Sequence, residues 1–137
     1  MDLLWVHLAA TWFMVGLVWF VQCVHYPLLR DLPAEIVPAY QLAHMRRTSP
    51  LIPTVMILEA ATGISIYDGS LWWIINTALL LFIWLLTFLV IVPLHVRLSE
   101  KYNPTHHGRL LVFNLVRSLA WLGHGITAIV LLRTHTQ

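Results

Sequence analysis

The chain has 137 residues, of which 59% are hydrophobic and 10% charged, with a mean hydropathy of +0.77. A soluble domain carries about 25% charged residues, so this composition excludes a water-covered globule and implies an integral membrane protein. One bilayer crossing takes roughly 20 helical residues, which leaves room for four crossings in a single domain, 1–137, and for no extramembrane domain.

Eight Lys and Arg against six Asp and Glu give a net charge of +2. With no basic block, nucleic acid is excluded as a partner. The single cysteine, Cys23, excludes an internal disulfide and any Cys-based zinc or iron–sulfur site. Its place in an apolar run predicts a buried small hydrophobe. The start Met1-Asp2-Leu3-Leu4-Trp5 lacks a basic region ahead of the apolar run, so the first segment is expected to stay in the mature protein.

Four apolar segments follow in order, over about 3–29, 50–67, 71–98 and 110–132. None alternates polar and apolar residues as barrel strands do, so the predicted fold is an all-α integral membrane four-helix bundle. In the first connection, 30–49, Pro33 and Pro38 break the chain and 39–47 forms a short interfacial helix. Pro50 and Pro53 open the second span, where a missing N–H costs little. The turn Tyr67-Asp68-Gly69-Ser70 predicts that spans two and three are antiparallel neighbours. The third connection, 99–109, carries the turn signal Asn103-Pro104 and then His106 and His107, expected with His135 to be solvated.

Arg30, Arg46 and Arg47 flank the first connection and Arg97, Lys101 and Arg109 the third, whereas the other side has Asp2, Asp68 and Arg133. The positive-inside rule then puts both basic loops in the cytoplasm and both termini outside, in a bacterial inner membrane. Trp5, Trp72, Trp73 and Tyr67 fall at the outer interface, where aromatic residues anchor.

An ionisable residue inside a span costs at least ~2.5–3.5 kcal/mol and marks a functional candidate. Glu59 and Arg117 lie about ten and eight residues into spans two and four from the same surface, so they are expected to pair. The pair fixes helix register, or else Arg117 holds an anionic oxygen (a porphyrin propionate, quinone or phenolate) while Glu59 accepts a proton. Asn114, Arg117, Ser118, Trp121, His124 and Gly125 recur at three- and four-residue steps and predict an inward polar face on span four. Thr77, Trp84, Phe88 and His95 form a similar stripe on span three, where Pro93 introduces a kink. Trp84 and Trp121 are expected in the core with the indole N–H bonded to a polar neighbour.

Histidine usage is the most informative feature. His7 and His25 are 18 residues apart, five helical turns, and so share a face about 27 Å apart. Near the cytoplasmic surface His25, His44 and His95 converge from three elements, as imidazoles do around a haem or metal ion. At the other surface His7 and His124 are candidates. A c-type haem is excluded for lack of CxxCH.

His25-Tyr26-Pro27-Leu28, then Tyr40, His44, Arg46-Arg47, Pro53, Met56 and Glu59-Ala60-Ala61-Thr62-Gly63, resembles a group of small bacterial four-span membrane proteins. Thr87 through Pro93-Leu94-His95 and Leu98, followed by Asn114-Leu115-Val116-Arg117, is remotely similar to the anthrone-oxygenase-like family, whose members oxidise polycyclic phenols; His95 stands where that family has an Asn. His7-Leu8, Trp12-Phe13 and Gly16-Leu17 are similar to the first helix of the bacterial membrane protoporphyrinogen oxidase family. That resemblance implies His7 as an axial haem b ligand.

The sequence therefore predicts a membrane oxidoreductase whose interior binds haem b, a metal ion or an aromatic or quinone-like molecule. Glu59, Arg117 and His95 are the catalytic candidates, and His25, His95, His7, Arg117 and Trp84 the cofactor-binding ones. The metal candidates are His25, His44 and His95. The alternative is a non-catalytic subunit of a larger membrane complex, using these groups for packing. Gly63, Gly123 and Gly125 permit close helix approach, including in a homo-oligomer.

Overall fold

The computed structural model describes residues 3–135; Asp2 and the side chain of His135 lie outside the described residues. The fold is all-helical. Helix α1 spans Leu3–Asp31, α2 Val37–Thr48, α3 Leu51–Ser65, α4 Leu71–Glu100 and α5 Pro104–His135. Three of them, α1, α4 and α5, are long and apolar enough to cross a membrane. At 15 residues α3 is shorter, about 22 Å at 1.5 Å per residue.

Two prolines shape the long helices in the same way. Pro27 and Pro93 each follow a widened π turn, Val21–His25 in α1 and Thr87–Ile91 in α4. A proline ring clashes with the carbonyl four residues earlier. The extra residue of a π turn moves that carbonyl aside, and the Tyr26 and Val92 N–H groups bond back to the Val21 and Thr87 carbonyls. The π turn also rotates α1 beyond it by roughly a quarter turn, so five ideal turns between His7 and His25 overstate their alignment.

Helix α5 starts at Pro104, one to two turns before the expected apolar boundary, because Asn103 is its N-cap. The Asn103 Oδ1 accepts from the Thr105 and His106 N–H groups at 2.8 and 3.3 Å, with Pro104 at the position that needs no donor. His107 is thereby carried into the first turn and buried. Its Nε2–H donates to the Tyr26 carbonyl at 2.8 Å, correcting the expectation of a solvated loop residue.

The interior alternates apolar and polar layers along α5. Leu131 packs with Leu4 and Trp73; Trp121 with Met14, Val18, Met56 and Ile83; Leu110 with Tyr26, Leu29, Ile91 and Leu98. His124 and Asn114–Arg117–Ser118 occupy the levels between, all buried, as the inward face predicted. The exterior is apolar instead, with Ile64, Leu89 and Val112 at 78%, 70% and 62% exposure. Such an inverted surface suits lipid.

Four expectations are corrected. Trp73 is buried and not an interfacial anchor, whereas Trp5, Trp72 and Tyr67 are exposed. Cys23 is exposed because its position on the π turn faces outward. The α4 stripe is shifted by one residue: Asn76, Ile83 and Thr87 are buried, while Thr77 and Phe88 face out. Finally, α3 packs along α1 and α4 along α5, and the two antiparallel partners of the turn are splayed around a cleft. Gly63 and Gly125 serve contacts within the chain, since an added Cβ would lie 3.3 Å from His7 and from Trp12 and Val15, respectively.

Asn103→Ala should lower the stability of the purified protein by about 1 kcal/mol, and Asn103→Asp should retain it. Thermal unfolding in detergent measures both.

Candidate functional site

Glu59 does not pair with Arg117. Their equal depth would require spans two and four to start level. Instead α2 packs against the last turns of α4, α3 starts higher, and Glu59 meets His124, two turns beyond Arg117. The Glu59 Oε1 lies 2.9 Å from His124 Nε2 and accepts from the Thr11 hydroxyl. Glu59, His124 and His7 are each 0% exposed.

Hydrogen-bond accounting assigns the imidazole tautomers in this layer. His124 Nδ1 faces the Asn76 carbonyl at 3.0 Å, an acceptor, so it carries the proton. His7 Nδ1 faces the Glu59 carbonyl at 3.2 Å and the Thr62 hydroxyl oxygen at 3.3 Å. The Thr62 proton is itself directed to backbone carbonyls of its own helix. His7 Nδ1 is therefore also a donor, which leaves the Nε2 of both rings for the interior.

Such an arrangement, with one ring nitrogen donating to a backbone carbonyl and the other free, is the outer-sphere pattern of metal-ligating histidines. One ligand atom from each of His7, Glu59 and His124 lies within 4.8 Å of the others. His7 Nε2 and Glu59 Oε2 are buried without a hydrogen-bond partner. A carboxylate oxygen and an imidazole lone pair at 2.9 Å repel unless a proton or a cation lies between them, so the site is built to hold one or the other. Asn76 anchors the layer by donating to the His124 carbonyl and to Thr127 Oγ1 at 3.2 and 2.8 Å.

The layer borders the cleft between α3 and α4, about 410 Å³ in volume. His7 and Asn76 are at its polar side; Ala60, Gly63, Leu80 and Trp84 line its walls. Trp84 therefore faces the cleft, with its indole N–H unpartnered and its ring edge-on to Phe88 at 5.8 Å. It does not make the polar indole bond expected from the sequence.

At the other end His25, His44 and His95 do converge. His25 and His44 stack with ring centroids 4.3 Å apart, and His44 and His95 at 5.5 Å. Face-to-face stacking packs rings against one another, whereas metal ligands point nitrogens at a shared centre. His95 Nε2 lies 2.7 Å from the Tyr26 hydroxyl. Arg117 donates to Asn114 Oδ1 at 2.5 Å, and Asn114 to Gln22 Oε1 at 2.7 Å.

Sequence reasoning missed Thr11, Thr62, Asn76 and Thr127 as parts of the Glu59–His124 layer, and Trp73, whose ring centroid lies 5.5 Å from that of His7. One helical turn separates Thr11 from His7, Thr62 from Glu59 and Thr127 from His124; that spacing was a usable signal. Asn76 carried none, because its register depends on the turn before α4. No protein-family model, curated protein or solved structure matches the chain.

Burial, with the neighbouring His25 and the Arg117 charge, lowers the pKa of His44 from 6.5 to about 4; His25 on α1, His95 on α4 and Arg117 on α5 are the groups nearby. A depressed folded-state pKa contributes stability that is present above pH 6.5 and is lost as pH falls toward about 4. His44→Gln should flatten the stability profile across that window, and thermal unfolding in a pH series is the measurement.

Proposed function

We propose that the chain is a four-span membrane metalloprotein of the oxidoreductase class. In this reading α3 is the short second span, both basic connections face the cytoplasm, and both termini lie outside a bacterial inner membrane. Arg30, Arg46, Arg47, Arg97, Lys101 and Arg109 are all exposed near one end, as the positive-inside rule requires.

His7, Glu59 and His124 hold a single divalent transition metal, and an apolar, aromatic or quinone-like molecule enters the adjoining cleft from the bilayer. Two imidazoles and a carboxylate on one side of an ion leave its other positions open, the ligand set of mononuclear iron oxygenases and of catalytic zinc sites. The observation that carries the reading is the convergence of three fully buried donors whose histidine N–H groups are already engaged by backbone carbonyls.

The residues have separate tasks. Thr11 orients the carboxylate, Asn76 the His124 ring, and Gly63 admits α3 close to His7. A cation bound by these three residues would take the place of a proton between Glu59 and His124. Leu80, Leu81 and Ile64 keep the cleft apolar, which favours a lipid-soluble substrate over a hydrated one. A haem at His7 is the alternative that the visible spectrum tests.

Protein purified without chelators should contain about one transition-metal ion per chain by mass spectrometry. His7→Ala, His124→Ala and Glu59→Ala should each lose it, and His25→Ala should keep it. A metal-free, normally folded protein that also fails to take up ferrous iron or zinc would overturn the metal centre and leave these groups a packing role. A Soret band that disappears in His7→Ala would replace the metal by haem.

A further inference from the structure

A second buried centre lies two turns along α5 from the metal ligands. Arg117 is 6% exposed, and among the described residues no carboxylate lies within ion-pair distance of it. It donates to Asn114, which is itself engaged with Gln22, and to the Tyr26 hydroxyl, both neutral groups, and its Nε is buried without a partner. A guanidinium does not deprotonate in proteins, and an uncompensated charge in the interior costs several kcal/mol. The layer around it holds no acid to meet that cost. Tyr26, His44 and His95 are its neighbours.

Beside Arg117 is a cavity of about 160 Å³. Arg117, Tyr26, His95 and Thr87 are part of its polar lining, to which α2 adds His44 and Thr48; Val18 and Met56 are part of its apolar lining. His95 Nδ1 and Thr87 Oγ1 are also buried without partners, so three orphaned polar groups surround one space. Water alone can satisfy hydrogen bonds there, but it brings no negative charge. The volume is well below the roughly 300–1,000 Å³ of pockets for drug-sized ligands, which limits the part of an occupant seated inside it to about one ring and rules out a porphyrin.

We propose that Arg117, Tyr26, His95 and Thr87 form a binding site for the oxyanion, carboxylate or phenolate, of a small apolar molecule, separate from the metal centre. Arg117 supplies the charge and a directional N–H, and the hydrogen-bonded Tyr26–His95 pair supplies one further donor, His95 Nδ1–H when Tyr26 donates to Nε2 or the Tyr26 hydroxyl when Nε2–H donates to it. The apolar body of the ligand rests on Val18 and Met56. The site does not depend on the metal reading, since it shares no residue with His7, Glu59 and His124.

The test is thermal unfolding and calorimetric titration of the whole chain in nonionic detergent, with benzoate, the neutral benzamide and decanoate as probes. Benzoate should stabilise the protein and bind at least about tenfold more tightly than benzamide, as charge-assisted hydrogen bonds require. Arg117→Lys should weaken binding, Arg117→Met should abolish it, and His7→Ala should leave it unchanged. Tighter binding of decanoate than of benzoate, still lost in Arg117→Met, supports the site and assigns its oxyanion to an acyl-chain lipid. Equal binding of benzoate and benzamide, full binding by Arg117→Met, or no binding of either anion overturns the proposal. Should Arg117→Met fail to fold, Thr87→Leu, which fills the cavity and keeps the charge, must abolish benzoate binding; retained binding overturns it.

Discussion

The contact between Glu59 and His124 ties together the part of the molecule that the apolar surface cannot organise. In lipid, helices gain little from burying leucine against leucine, because the surrounding chains are equally apolar. Polar contacts and close packing must choose the partners. Glu59 brings α3 to α5 through His124 and to α1 through Thr11, while its own carbonyl receives the His7 ring. Asn76 adds α4 to the same level through the backbone of His124. One layer therefore registers four helices. Removing either Glu59 or His124 would leave the other's buried oxygen or ring nitrogen without its partner.

The prolines set the other polar level. Each π turn ends one residue before a segment with proline at its second position, and these segments carry Tyr26 and His95 to within 2.7 Å of each other. The same two turns bring His25 against His44 on α2. A helix without the widened turns would keep the hydrogen-bond ladder but would aim these rings elsewhere. The two polar levels thus arise differently, one from side chains on regular helix and the other from a paired irregularity of the backbone. Two apolar residues on facing helices, Val18 and Met56, pack in the layer between them, so each level is a separate chemical environment.

Much of this was readable in the chain. The inward face of α5, from Asn114 to Gly125, follows from three- and four-residue spacing and is found buried. The short helix expected over 39–47 is present as α2, although Pro38 opens its first turn instead of breaking the chain ahead of it. The candidates Glu59, His7 and His95 are all buried polar residues, since charge and imidazole stand out in apolar runs. The stripe on α4 was misplaced by one position, because Thr77 and Phe88 continue the spacing of Trp84 and His95 on paper, whereas the side of the helix that packs inward carries Asn76, Ile83 and Thr87. His107 was misassigned for a related reason: Asn103-Pro104 reads equally well as a turn or as a cap and first helical residue, and only the packing of Tyr26 against the first turn of α5 distinguishes them.

By itself, the sequence determined that the protein is helical and apolar outside, which residues are costly to bury, and which face of α5 carries them. These follow from composition and from the fixed 100° step of a helix, properties local to each segment. Tertiary structure decided the partners. Glu59 meets His124 and Arg117 is left without an acid because α2 takes up depth beside α4 and raises α3 relative to α5, a displacement set by packing between segments. Periodicity specifies direction around a helix axis and not height along it, so the Glu59–His124 layer and the lone arginine became distinguishable only when the helices were placed side by side.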